Sequence, residues 1–482
     1  MSKIKRLAGE TVLYGLGSIV PRAINFLLVV LHTNNMFSAA EYGKITIILS
    51  IVAFFNVFYA FGMETAYFRF ANKEGLEEGK IFNLAHTVVL LISAPISVLI
   101  ILFASPISAA IHIEQQPELI TWVSVTLFVD ALSVIPFAQL RLQKKALQFA
   151  LIRIVVVSIQ VGLNIYFLKF NYNPSVGIGY VFLANLIANL FYFLFLFKPL
   201  TTWRPAFDKN ISPKMLSYAY PVMLTGLAGM TNEMFSRLTL EKWLPSNFYG
   251  SVSNAAAMGI FGACYKFAVL MNLGIQAFRY AAEPFFFSNA KEKNSPELFA
   301  RVNHYFIVAC CIFLFAISVN IDVIKYLIGE EYWPGLPIVP ILLLAYLFLG
   351  VYYNFSVWFK LTDQTYFGTI ITVAGAVITV VANYFLIPVW GYMGSSVAAL
   401  ICYFAMAAIC YAIGRTKYPI PYKVGPDSIW ILVTMILLLA VQNLAIENFF
   451  LNAALHFLFT ILFVAAVYFI ERKGLQKKQV LG

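Results

Sequence analysis

"ANYFLIPVWGYMGSSVAALICYFA", Ala382 to Ala405, carries the feature that decides the fold: two apolar runs meet at a turn through Gly391 and Gly394, and the second run opens on the small residues Ser395 and Ser396. Each arm belongs to a run of roughly 20 apolar residues, the length an α-helix needs to cross a bilayer core. Such runs are too long for barrel strands, which read as about ten residues of alternating polarity.

Working outward, similar runs recur at 10–34, 44–70, 82–104, 119–140, 149–169, 176–198, 214–240, 253–278, 301–319, 337–359, 366–388, 393–414, 428–445 and 450–470. The chain is 61% hydrophobic and only 11% charged, against about a quarter charged in soluble domains. The expected fold is therefore an all-α integral membrane protein of about fourteen transmembrane helices, each spanning roughly 30 Å of hydrocarbon.

Charge orients the stack, because Lys and Arg are retained in short cytoplasmic loops. With both termini cytoplasmic, the outside loops hold only Lys44, Lys169, Lys242 and Lys325, while Arg22, Arg237 and Lys266 fall within spans. The rest of the 33 basic residues, among them Lys3, Lys5, Arg6, Arg141, Lys144, Lys145, Arg153, Lys198, Lys473, Lys477 and Lys478, lie inside. The net charge of +11 is thus topology and calls for no nucleic-acid partner. The first run is too long for a secretory signal and carries Arg22 where a signal core would be plain, so it reads as an uncleaved span.

The five cysteines all lie in apolar spans without metal-ligand spacing and read as small hydrophobic filler. The five histidines are scattered singly, and no phosphate loop, zinc spacing or nucleophile elbow is present. Connections are short, leaving no room for a soluble catalytic domain. The expectation is a transporter, not an enzyme, with no cofactor and no metal.

An internal repeat adds organisation, since transporters are commonly built from duplicated bundles. "LNIYFLKFNYNPSVGIGYVFLANLIA" from Leu163 matches the opening stretch: each ends a span on Asn plus aromatics (Asn164, Asn383) and turns through glycines (Gly177 and Gly179; Gly391 and Gly394). "ETAYFRFAN" from Glu64 pairs with "EPFFFSNA" from Glu283, and "MFSAAEYG" from Met36 with "WLPSNFYG" from Trp243. The order supports two pseudo-symmetric six-helix lobes around a central cavity, over 1–200 and 211–415, with two further helices over 428–471 packed outside.

With its fourteen-span plan, the "NYFLIPVWGYMGSS" stretch, "AAEPFFF" from Ala281 and a basic residue in the first span, the whole chain resembles the Wzx-type flippases. These are the polysaccharide-transporter branch of the multidrug/oligosaccharidyl-lipid/polysaccharide exporter superfamily. Gly394, Ser395 and Ser396 stand where that family usually has Gly-Ala-Ala. The resemblance implies alternating access that moves undecaprenyl-diphosphate-linked oligosaccharide from the cytoplasmic to the outer leaflet of a bacterial cytoplasmic membrane, for polysaccharide or O-antigen assembly. It implies membrane lipids, and allows glycan polymerases, as partners. The rival class is a cation-coupled multidrug exporter of the same superfamily, which would favour cavity acids; the third is a membrane enzyme of glycan assembly.

Residue chemistry supplies candidates. On the first span Thr11, Gly15, Ser18, Arg22, Asn25 and His32 share one helical stripe; span seven has another in Thr225, Gly229, Asn232, Glu233, Ser236 and Arg237, and span eight contributes Lys266. If the lobes are duplicated, these stripes face each other, making Arg22, Asn25, Glu233, Arg237 and Lys266 the candidate substrate contacts. A charge at mid-bilayer costs about 2.5 to 3.5 kcal/mol. A structural Arg22 would need a buried acid partner; a functional one would bind the diphosphate, assisted by Lys266 and Arg237. Glu233 and Arg237 equally suit an i,i+4 salt bridge, and Lys266 would alternatively snorkel or meet Asp130. Asp130 is a candidate proton or cation site, or a hydrogen-bonded packing residue. Glu64 and Glu283, near the cytoplasmic ends of spans two and eight, are candidates for a gate, or simply interface-facing carboxylates. Tyr352, Tyr353, Asn354 and Trp358 read either as sugar-stacking groups or as core.

Overall fold

In a computed structural model the described residues are 3–34, 36–113, 116–290, 292–444 and 446–480, with side chains from residue 15 to 472. Thr11 of the polar stripe and the terminal Lys and Arg side chains before and after that range fall outside them. The chain forms α1 (Lys3–Thr33), α2 (Ala39–Ala60), α3 (Met63–Ala71), α4 (Glu78–Leu102), α5 (Ala104–Ala110), α6 (Pro117–Leu142), α7 (Ala146–Ile165), α8 (Gly179–Phe195) and α9 (Phe197–Thr202). It continues as α10 (Ser212–Trp243), α11 (Asn254–Asn289), α12 (Ser295–Val319), α13 (Ile321–Ile324), α14 (Ile338–Phe355), α15 (Val357–Leu361), α16 (Tyr366–Lys417), α17 (Val424–Gln442) and α18 (Phe449–Val480). Among the described residues the only β pairing is the isolated bridge Tyr249–Val252. Lipid offers backbone groups no hydrogen-bond partner, so apolar segments of this length satisfy their own as helices.

Among the described residues eleven helices are long and apolar enough to cross a membrane, against the fourteen expected. Three places account for the difference. α8 is apolar but has only 17 residues. α10 is long but interrupted by its polar stripe. The 52 residues of α16 would extend about 78 Å as one helix, far beyond a bilayer, and they hold two of the expected runs. The chain reverses between them at Gly391, whose φ of 57° and ψ of −133° are non-helical. The two arms then lie side by side: Cys402 Sγ donates to the Gly375 carbonyl at 3.4 Å. The turn is braced by the Tyr392 N–H, which donates to Tyr249 Oη at 3.0 Å, with the two rings stacked 4.5 Å apart.

The matched stretch in the first half behaves alike. Gly177 also has positive φ, 46°. Asn164 and Asn383 are fully buried, and each donates its amide to the carbonyl one turn earlier, Gln160 at 2.9 Å and Thr379 at 2.8 Å.

The halves meet tightly at one end. α2 crosses α11 backbone to backbone, so that a Cβ on Gly259 would lie 1.8 Å from the Ala39 carbonyl oxygen and one on Gly43 2.2 Å from that of Ala255. A clasp from the second half closes over this crossing. The Glu331 carboxylate accepts from the Ala39 N–H at 3.1 Å, Tyr332 Oη donates to the Phe37 carbonyl at 2.9 Å, and Asn34 donates to the Leu327 carbonyl at 3.2 Å. A carboxylate at the start of α2 also suits the positive end of its dipole. At the opposite, basic end, α3, α6, α7 and α11 separate around a cavity. α17 and α18 pack on α12, where Phe315 stacks on Phe463 at 4.4 Å and His304, buried, is held between Asp427 and Glu471.

Candidate functional site

The cavity at the basic end has a volume of about 740 Å³ and is walled by both halves: Ser18 and Arg22 of α1, Glu64 and Phe68 of α3, Arg141 of α6, Phe149 and Arg153 of α7, and Tyr280, Glu283, Pro284 and Phe287 of α11. Its geometry follows from local chemistry. α2 stops at Phe61 and Gly62, both at positive φ (49° and 69°), and α3 restarts off-axis, placing Glu64 in the wall. α11 instead runs on unbroken for 36 residues and carries Glu283 to the same place.

The charges are unevenly satisfied. Arg141 pairs with Glu64 and its guanidinium stands 5.0 Å from the Phe68 ring centroid. Glu283 pairs with Lys360 at 2.7 Å and Arg279 at 3.5 Å. Arg153 lies over the rings of Phe137 and Phe149, 4.9 and 4.8 Å from their centroids, with no carboxylate within ion-pair distance among the described residues. Arg22 is exposed to the cavity and makes no hydrogen bond or ion pair there among the described residues. Once Glu64 and Glu283 are matched to their partners and Arg153 is set against the charge of Asp130, which lies within electrostatic range, the Arg22 guanidinium remains in surplus, so the site favours an anion.

The structure thus brings together Arg22, Glu64 and Glu283. The other candidates lie elsewhere. Asn25 is exposed on α1 but not in the cavity wall. Arg237 is buried, and in place of the i,i+4 bridge to Glu233 its guanidinium stacks 3.8 Å from the Tyr265 centroid and contacts Met234 Sδ at 2.8 Å. The ring face offers the planar cation a neighbour without bending the side chain back along its own helix. Lys266, half-buried, lies within electrostatic range of Arg237 and Glu233; the alternative contact with Asp130 is not made. Asp130 accepts from Asn189 Nδ2 at 2.7 Å, a contact between α6 and α8 away from the cavity wall. The stripe on α1 is only half wet, since His32 is buried against Asn164 at 3.1 Å. Trp358, Tyr352 and Asn354 are core, and Tyr353 is covered by the Arg279 guanidinium at 4.1 Å, leaving none of the four as a free sugar platform.

Arg141 and Arg153 escaped the sequence reading, which assigned them to the cytoplasmic charge excess. The available signal was the position of Arg153 inside an apolar run.

The described residues form an all-helical bundle of apolar, membrane-length segments, closed at one end and holding a charged cavity at the other, and solved structures share this fold. The fold is similar to "Lipid II flippase MurJ, inward closed conformation" at a TM-score of 0.73 and 16% identity, covering 97% of this chain and 100% of that one. It is also similar to an inward-facing multidrug resistance MATE family transporter of the MOP superfamily, at 0.64 and 14%, covering 84% and 94%. An outward-facing one matches at 0.58 and 15%, covering 86% and 95%. The chain belongs to the family described as polysaccharide biosynthesis protein, whose model matches residues 35–337, more than half its length. No curated protein matches it.

Proposed function

We propose that this protein is a flippase that moves undecaprenyl-diphosphate-linked oligosaccharide from the cytoplasmic to the outer leaflet by alternating access, in polysaccharide or O-antigen assembly. The observation that carries this is Arg22, a guanidinium without an ion-pair partner among the described residues, in a cavity of about 740 Å³ walled by both halves. A guanidinium offers phosphate a planar fork of donors, and the diphosphate is the part of such carriers that stays constant while the sugar varies. A polysaccharide-biosynthesis family and a fold shared with solved flippase and multidrug-transporter structures support this reading, and the Lys/Arg bias favours a basic end and both termini facing the cytoplasm, in this account that of a bacterial inner membrane.

In this account the working parts are the lobes 1–200 and 211–415, rocking about the α2–α11 crossing, with 428–471 outside them. Glu64 and Glu283 form the cytoplasmic gate by exchanging partners as the mouth closes: each carboxylate is now held by a cation of its own half, and closure brings it to a cation of the other. Arg237, Lys266, Glu233 and Asn25 line the path further along, and Asp130 serves coupling within the first lobe. A cationic-drug exporter is disfavoured, because both cavity carboxylates are already neutralised by Arg141, Lys360 and Arg279.

Depletion in the native host followed by lipid extraction tests the proposal. Accumulation of a diphosphate-linked oligosaccharide in the cytoplasmic leaflet is the expected result; unchanged glycolipids with lost dye efflux would favour the exporter.

A further inference from the structure

A second cavity lies on the other face of the basic end, outside the central one. It is about 750 Å³ and occupies the seam between α3 and α10, with Arg69, Lys73, Lys214, Ser217 and Tyr218 in its walls. Three cations converge there, no carboxylate lines the cavity, and none of the three forms an ion pair among the described residues. Like charges gathered without a counter-charge repel one another, so the arrangement gains from an anion.

Two details specify the occupant. Lys214 stands in the first turn of α10, a turn with no acidic residue, where the helix dipole favours a negative group and disfavours a cation. The Asp208 carboxylate at that helix start is taken up by the Ile211 N–H at 3.1 Å and by Lys80 at 2.7 Å, which leaves Lys214 without an ion-pair partner among the described residues. Arg69 lies with its guanidinium 4.2 Å from the Tyr218 centroid, which fixes the plane and leaves its N–H edge for oxygens. Toward the membrane interior the seam closes, with a Cβ on Gly62 only 2.7 Å from the Ala219 carbonyl oxygen. Beyond it the outer faces of α2 and α10 present exposed Phe58, Tyr220 and Leu224. A cationic pocket above an exposed apolar strip has the shape of an amphiphile, not of a free ion.

We propose that this seam binds the phosphate headgroup of an anionic glycerophospholipid, with its acyl chains along Phe58 and Leu224. Because α3 and α10 belong to different halves, the bound lipid holds the halves together at this seam.

The test uses the purified full chain in detergent, titrated with short-chain phosphatidylglycerol, short-chain phosphatidylcholine or inorganic phosphate, with lipid adducts read by native mass spectrometry and stability by thermal unfolding. Phosphatidylglycerol is expected to bind and stabilise, with affinity about a hundredfold weaker in R69Q/K73Q/K214Q and about fivefold weaker in K214Q alone. The control K144Q/K145Q/K198Q, which removes the same charge elsewhere at the basic end, is expected to bind as wild type. Equal losses in both triple variants would reduce the effect to general surface charge and overturn the site, as would unchanged binding in K214Q and the site triple. Equal stabilisation by inorganic phosphate or by phosphatidylcholine would overturn the anionic-lipid assignment. None of these readouts depends on transport, so they stand or fall apart from the flippase proposal.

Discussion

Arg22 was legible because a guanidinium inside an apolar run is costly and has few bland explanations. Arg141 and Arg153 were not, because their place beside Glu64 and Arg22 depends on how four helices converge, and local sequence does not encode that. Spacing also over-promised at Glu233 and Arg237: an i,i+4 register permits a bridge but does not compel one when an aromatic face lies closer. Arg237→Lys should therefore lower stability by about 1 kcal/mol, since it keeps the charge and loses the planar stack; thermal unfolding checks this, and an unchanged midpoint would show the stack to be incidental. Gly391 is sharper. Its φ of 57° with ψ of −133° is open essentially to glycine, and a Cβ would come 2.1 Å from Tyr249 Oη. Gly391→Ala should destabilise by at least about 1–3 kcal/mol, measured as a lowered unfolding midpoint at equal membrane insertion.

Among the elements, most spans could be read from length and apolarity, and the hairpin in α16 from its glycines. The break between α2 and α3 could not, because Phe61 adopts a left-handed conformation that nothing in its identity announces. The α2–α11 crossing likewise rests on Gly43 and Gly259, which look like ordinary small residues in sequence and act as the point where two backbones touch. Gly259→Val should prise that end open, and labelling of Cys264, buried beneath the clasp with its thiol on the Tyr332 carbonyl at 3.3 Å, should rise in a variant retaining only that cysteine. Unchanged labelling by a membrane-impermeant maleimide would argue against this crossing as the closure. The link between the halves carries a pH signature of its own. The Lys80 ammonium at 2.7 Å, with the Asn210 and Ile211 N–H groups, holds the Asp208 carboxyl below its usual range. Its contribution is complete above the ordinary aspartate value of about 4 and is lost as pH falls through the lower folded value. Proteolysis of the 203–211 link should accelerate over that acid range, and Asp208→Asn should show the fast rate at neutral pH.

At the scale of the molecule, composition and charge bias specify an all-helical membrane protein, and the repeat suggests its organisation, yet the position of the cavity becomes visible only when both halves are in place. One end is shut by backbone contact and the Glu331 clasp, and the other presents the Arg22 guanidinium to a cavity of about 740 Å³. On the proposed function, this asymmetry lets the molecule take an anionic headgroup from one side. The most direct test is flipping of a fluorescent undecaprenyl-diphosphate oligosaccharide in reconstituted vesicles, comparing wild type, Arg22→Lys and Arg22→Ala at equal insertion. Loss of a charge-assisted phosphate contact should slow Arg22→Ala about ten- to a hundredfold, with Arg22→Lys between the two. Flipping by Arg22→Ala at the wild-type rate would contradict the account.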